Sequence, residues 1–121
     1  MNLKNVIILT PYKGESKENI RYAKLALLDS LLRGEAPFAR HLLYTQVLDY
    51  NIPKEREVGI EAGISWYQKA DLCAVYTDNG FSSDMREGIQ RAKENDVEIE
   101  LRSIDDKLDF NKARNKIDGL V

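Results

Sequence analysis

Apolar positions along the chain recur with two different periods. Val6-Ile7-Ile8-Leu9 form an unbroken, largely β-branched run stopped by Pro11, which predicts a strand over 5–10 covered on both faces. From Ser16 the spacing becomes helical. Ile20, Ala23, Leu27, Leu28 and Leu31 fall on one stripe, with Ser16 as cap and Gly34 as stop. Pro37 to Leu43 reads as a second short strand. Pro53 fits the first turn of a second helix running to about Lys69. In that segment Val58, Ile60, Ala62, Ile64 and Trp66 alternate with Gly59, Glu61, Gly63, Ser65 and Tyr67, which is strand period; its length, its charged first turn and the Gly59/Gly63 spacing favour a helix. Asp71 to Thr77 predicts a third strand. Ser82 or Ser83 caps a third helix to about Asn95, and Val97, Ile99 and Leu101 alternate in a fourth strand. The remainder predicts a last short helix or arm, so the chain divides into an α/β body over 1–103 and a C-terminal piece over 104–121.

The order β-α-β-α-β-α-β implies right-handed crossovers and a parallel sheet covered on both faces. The expected fold is a flavodoxin-like three-layer α/β domain with strand order 2-1-3-4. Ligands in such sheets bind at the carboxyl ends of the strands beside the switch in strand order. The loops placed there are Pro11 to Glu15 and Asp78 to Ser83, flanked by His41 to Thr45.

Composition narrows the function classes. The chain has 121 residues, 43% hydrophobic and 31% charged, as a soluble globular domain does. Its formal net charge of −2 gives no reason to expect a nucleic-acid polymer or an anionic membrane as partner. No apolar run approaches the roughly 18 residues of a membrane helix, and the start shows no signal-peptide pattern. One cysteine, Cys73, rules out an internal disulfide framework and fits a reducing cytoplasm. Its mid-strand position marks it as a buried apolar residue rather than a nucleophile. With a single histidine there is no Cys/His cluster for zinc, and no metal or cofactor is expected.

The predicted loops carry the candidate chemistry. In the first, Gly14 frees the backbone, Lys13 adds positive charge and the following helix start offers unpaired N–H groups, a combination able to hold a phosphate or ribose or to serve as a plain turn. Pro11 and Tyr12 precede them, and Tyr12 could stack on a base or cover the core. In the second, beside Tyr44, His41 could be a general acid, a base contact, a pocket hydrogen-bond donor or a structural residue. In the third, Asp78 ends a buried strand, where a carboxylate suits sugar hydroxyls; Asp78-Asn79-Gly80 is also a strong turn signal. Ser83, Asp84, Met85 and Glu87 begin the third helix, where acids favour the helix dipole and disfavour a phosphate.

Taken together, Val6 to Tyr12, Arg40-His41-Leu42-Leu43-Tyr44-Thr45-Gln46, Asp71 to Asp78 and Ser82 to Ile89 resemble the small phage and bacterial relatives of the nucleoside 2-deoxyribosyltransferases over about residues 4–103. That family cleaves the N-glycosidic bond of a deoxynucleoside with a glutamate nucleophile near the start of the third helix. Aligned on Met85, Ile89 and Ala92, the equivalent position here is Gly88, with Glu87 one residue away. The resemblance matches Asp78 to the family's sugar-binding acid and Tyr12 to the aromatic of its first loop.

The resulting expectation is a protein that binds a nucleoside or nucleotide, through Pro11, Tyr12, Lys13 and Gly14, His41 and Tyr44, and Asp78, Ser83 and Met85. Such a binder could sequester a nucleotide-derived signal of ADP-ribose type. The alternative is an N-glycosidic-bond hydrolase or deoxyribosyltransferase using Glu87 or Asp78; a third is an assembly subunit with a vestigial pocket. Relatives complete their pockets with neighbouring subunits, and Tyr50, Trp66, Tyr67, Phe81 and Phe110 exceed what the predicted elements bury, so a homo-oligomer of at least two chains is expected. The Gly59/Gly63 face packs either against a second copy or against the protein's own sheet.

Overall fold

Alternation decides which face of the sheet each strand residue covers. In the computed structural model, which describes residues 2–12, 16–104 and 108–117, Val6 to Leu9 are all buried and form strand β1 (Asn5–Leu9). Ile7 and Leu9 enter one core with Cys73, Val75, Tyr67 and Met85. Val6 and Ile8 enter the other, with Ala26, Ala74 and Tyr76. A strand buried on both sides needs a cover on each, which is why its sequence is apolar without interruption.

The remaining elements are α1 (Lys17–Leu32), β2 (Ala36–Phe38), α2 (Pro53–Ser65), β3 (Leu72–Tyr76), α3 (Ser83–Glu94), β4 (Glu98–Arg102) and α4 (Phe110–Ile117). All strand pairs are parallel and the order is β2-β1-β3-β4, as the element sequence predicts. Ser16 caps α1 by accepting from Asn19 N, and Gly34, at φ +80, follows its last turn. Ser82 caps α3 by accepting from Met85 N at 3.2 Å. Gly80, also at φ +80, closes the Asp78-Asn79-Gly80 turn with its N–H on the Thr77 carbonyl.

Two predicted elements are corrected. The second strand ends at Phe38 rather than Leu43. It is an edge strand whose register stops at Ile7 opposite Phe38. Beyond it the backbone folds into single 3-10 turns over Arg40–Leu42 and Tyr44–Gln46, closed by Leu42 N on the Ala39 carbonyl and Leu43 N on that of Arg40. The second helix ends at Ser65, and Trp66–Lys69 is a 3-10 turn that buries Tyr67. Cys73 is fully buried, and burial pushes its thiol up to about 12, which leaves it protonated and unreactive at neutral pH.

On the face opposite α3, Arg102 joins β4 to α1. Its guanidinium donates to both carboxylate oxygens of Glu35 and to Tyr76 Oη, which in turn donates to Asp29. This network is polar but far from unsatisfied, and it ties the sheet edge to the end of α1.

Candidate functional site

A cleft of about 750 Å³ opens at the carboxyl ends of the strands, where β1 lies between β2 and β3. Tyr12 enters it from the segment after β1. Arg40 and His41 enter from the turn after β2, and Asp84 and Glu87 from the first turns of α3. The loop Gln46 to Asn51, with Arg56 and Ile60 of α2, closes the far side. That loop is held by Asp49, whose backbone N–H donates to the Glu55 carboxylate and whose own carboxylate accepts from Asn51 N. A shallower groove of about 440 Å³ shares Tyr50, Asn51, Arg56 and Ile60 with the cleft.

One wall is aromatic. The rings of Tyr12 and His41 stack with centroids 4.5 Å apart and planes 9° from parallel, and Tyr50 meets Tyr12 edge-on at 6.0 Å. Tyr50 fits because Gly59 of α2 has no side chain: a Cβ there would lie 2.1 Å from the Tyr50 hydroxyl oxygen. Both ring nitrogens of His41 are buried without a hydrogen-bond partner. Burial, aided by the neighbouring Arg40 charge, drives its pKa down to about 3, so the ring is neutral.

Arg40 is the second buried polar group of the cleft, 8% exposed. Its stem lies along α2 at Gly63, where a Cβ would come 3.2 Å from Arg40 Cδ. The two glycines of α2 are thus covered by Tyr50 and Arg40 of the same chain. The cover is intrachain, but it comes from the loop before α2 and the turn after β2 rather than from the sheet. Arg40 Nε has no partner, and Arg40 forms no ion pair among the described residues.

The third wall is acidic. Asp84 and Glu87 are three residues apart on α3 and share its cleft-facing side. Met85 and Gly88, spaced likewise, share the opposite side and are buried. A Cβ at Gly88 would meet both Leu9 methyl carbons at 2.8 Å and Tyr67 Oη at 3.0 Å. One residue along a helix is a rotation of about 100°. The carboxylate at 87 therefore faces the cleft, whereas position 88 is filled by the core. Asp84 is paired through Oδ1 with Arg56 at 3.6 Å, and Glu87 with Arg91 at 3.9 Å.

Of the residues expected from sequence, Tyr12, His41 and Glu87 come together in the cleft. Pro11 flanks a small void behind Tyr12 and His41. Asp78 does not line the cleft; its carboxylate accepts from Tyr22 Oη and from Ile104 N, and its own N–H donates to Tyr22 Oη. Tyr44 lies beyond the cleft wall, accepting from Trp66 Nε1 at 3.1 Å. Met85 is 1% exposed and packs in the core. Ser83 starts α3 without entering the cleft lining. Lys13 and Gly14 lie outside the described residues. Sequence reasoning missed Arg40, Tyr50 and Arg56 as site residues. The available signal was the glycine pair of α2, which announces a close approach without saying by what. No group of three or more metal-ligating side chains occurs among the described residues.

Residues 4–102 match the family model described as "Domain of unknown function (DUF7768)". No curated protein sequence matches the chain significantly. Among solved structures, a 2-deoxyribosyltransferase from the psychrotolerant bacterium Bacillus psychrosaccharolyticus, characterised as a biocatalyst for nucleoside synthesis, superposes with a TM-score of 0.64. The match covers 93% of this chain and 82% of that one at 13% sequence identity. A likeness at that identity establishes the α/β fold and strand order. A shared fold does not fix a function, which resides in the residues of the cleft.

Proposed function

The chain belongs to the family described as domain of unknown function DUF7768, and we propose that it binds a nucleoside or nucleotide in the switch-point cleft with little or no turnover. The observation that carries this reading is the pairing of an aromatic wall, Tyr12 on His41 with Tyr50 at the edge, with two carboxylates one helical turn apart, Asp84 and Glu87. A base suits the first surface and sugar hydroxyls the second. The shared fold with a 2-deoxyribosyltransferase supports the ligand class. Slow or absent chemistry follows from position 88, where the resemblance to that enzyme family calls for a nucleophilic glutamate and the chain has a glycine packed on Leu9 and Tyr67. A binder of this kind fits sequestration of a nucleotide-derived signal, ADP-ribose among the candidates.

A second reading, N-glycosidic cleavage or base transfer, is favoured by one feature: Glu87 stands at the cleft with 46% of its side chain exposed. In that reading Glu87 is the working carboxylate, and Asp78, bonded to Tyr22 and Ile104, only holds the loop. Incubation with deoxyinosine and free adenine, followed by liquid chromatography, separates the two. The expected result is no measurable exchange. Robust exchange that disappears in Glu87→Gln overturns the binding reading and establishes the second.

The reading includes assembly into a homo-oligomer, because Val47, Val58 and Leu43 are each half or more exposed. Light scattering checks it, and a mass of 13.9 kDa, that of one chain, contradicts it.

A further inference from the structure

Arginine is almost never buried without an anionic partner, because its charge then loses water and gains nothing in return. Arg40 is 8% exposed, forms no ion pair among the described residues and leaves Nε without a hydrogen bond. The three acids that line the cleft do not explain it. Asp84 is paired with Arg56 and Glu87 with Arg91, and the Asp49 carboxylate accepts from Asn51 N. Beside Arg40, His41 carries two buried ring nitrogens that also lack partners. A neutral imidazole supplies one N–H donor, and a guanidinium supplies several in a planar fork that matches phosphate oxygens. Two adjacent, unsatisfied donor groups thus border one cavity, and Gly63 is the residue that makes room for the first of them.

We propose that the cleft is built for a phosphorylated ligand, a nucleotide rather than a nucleoside, whose phosphate sits on the Arg40 guanidinium with a hydrogen bond from the His41 ring. The proposal rests on the nucleoside-type reading of the cleft and adds the anionic group. It places the phosphate at the end of β2 rather than at the acidic start of α3. The sugar then lies toward Asp84 and Glu87, where carboxylates meet hydroxyls rather than phosphate oxygens.

Calorimetry with adenosine and adenosine 5′-monophosphate tests it. The monophosphate is expected to bind at least about tenfold more tightly, and Arg40→Gln is expected to abolish the difference. Equal affinities in the wild-type protein, or a preference for the monophosphate that survives in folded Arg40→Gln, overturns the proposal. If Arg40→Gln does not fold, the wild-type protein still decides it, because the chain has one histidine and its ring protons give a unique proton NMR signal. Titration with inorganic phosphate is expected to shift the His41 ring resonances saturably and to raise the ring pKa; unmoved resonances overturn the proposal. Phosphate shifts without binding of adenosine or its monophosphate support the anion site and contradict the nucleoside reading. Equal binding of both with no phosphate shift does the reverse.

Discussion

Gly88→Glu is expected to destabilise the protein by about 3 kcal/mol or more and to confer no base-exchange activity. The first Cβ placed there meets two Leu9 methyl carbons at 2.8 Å, and Leu9 is 2% exposed, so its side chain has nowhere to move without disturbing the core around Tyr67 and Met85. Overpacking of that kind costs about 1–3 kcal/mol. A carboxylate at the same place adds the cost of an acid between apolar groups, offset only in part by a hydrogen bond from the Tyr67 hydroxyl, which has no partner of its own. Gly88→Ala separates the two contributions. It keeps the steric cost of about 1–3 kcal/mol, offset by about 1 kcal/mol of helix propensity, and should be destabilised by at most about 2 kcal/mol, less than Gly88→Glu. Urea denaturation measures all three proteins. A Gly88→Glu variant of wild-type stability that exchanges bases would show that position 88 opens to the cleft, and the assignment of the α3 faces would be wrong.

Acidification from about pH 7 to about pH 5 is expected to cost about 2 kcal/mol of stability through His41 alone. In the unfolded chain the ring titrates near 6.5; in the fold, burial first and Arg40 second hold it down to about 3. Between those values the unfolded state takes up a proton that the folded state refuses. The stabilisation is therefore complete above the unfolded pKa and is lost progressively as the pH falls toward the folded one. The chain has no second histidine, so this interval reports one group. Glu35 begins to contribute only further down. Burial alone would raise its carboxyl, but hydrogen bonds from Arg102 and Ser30 prevail and hold it below its usual value. His41→Phe keeps an aromatic ring on Tyr12 and is expected to flatten the pH dependence between about pH 7 and about pH 5. Denaturation curves of the two proteins across that range decide it; equal slopes would contradict the buried, neutral ring.

The sequence disclosed the elements whose signals are local. Val6 to Leu9 and Leu72 to Tyr76 read as doubly covered strands because every position in them is apolar, and Ser16 and Ser82 marked helix starts through bonds to residues three positions on. The length of β2 was hidden, because an edge strand ends where its single neighbour stops pairing, and Ile7 opposite Phe38 is a tertiary fact. Asp78 was legible as the residue ending a strand and starting a turn. That its carboxylate is taken by Tyr22, 56 residues earlier in the chain, was not. Arg40 went unnoticed beside His41 because arginine is ordinarily a surface residue. Only its packing against Gly63, which lies on another element, reveals it as buried and unpaired.

Chemical-shift mapping of the amide groups with adenosine 5′-monophosphate tests most directly whether the switch-point cleft is the ligand site. Saturable shifts are expected at Tyr12, at Arg40 and His41, in the loop Gln46 to Asn51, and at Asp84 and Glu87, with α4 and the β4 edge unmoved. Shifts centred on α4 or β4, or none at millimolar ligand, would contradict it.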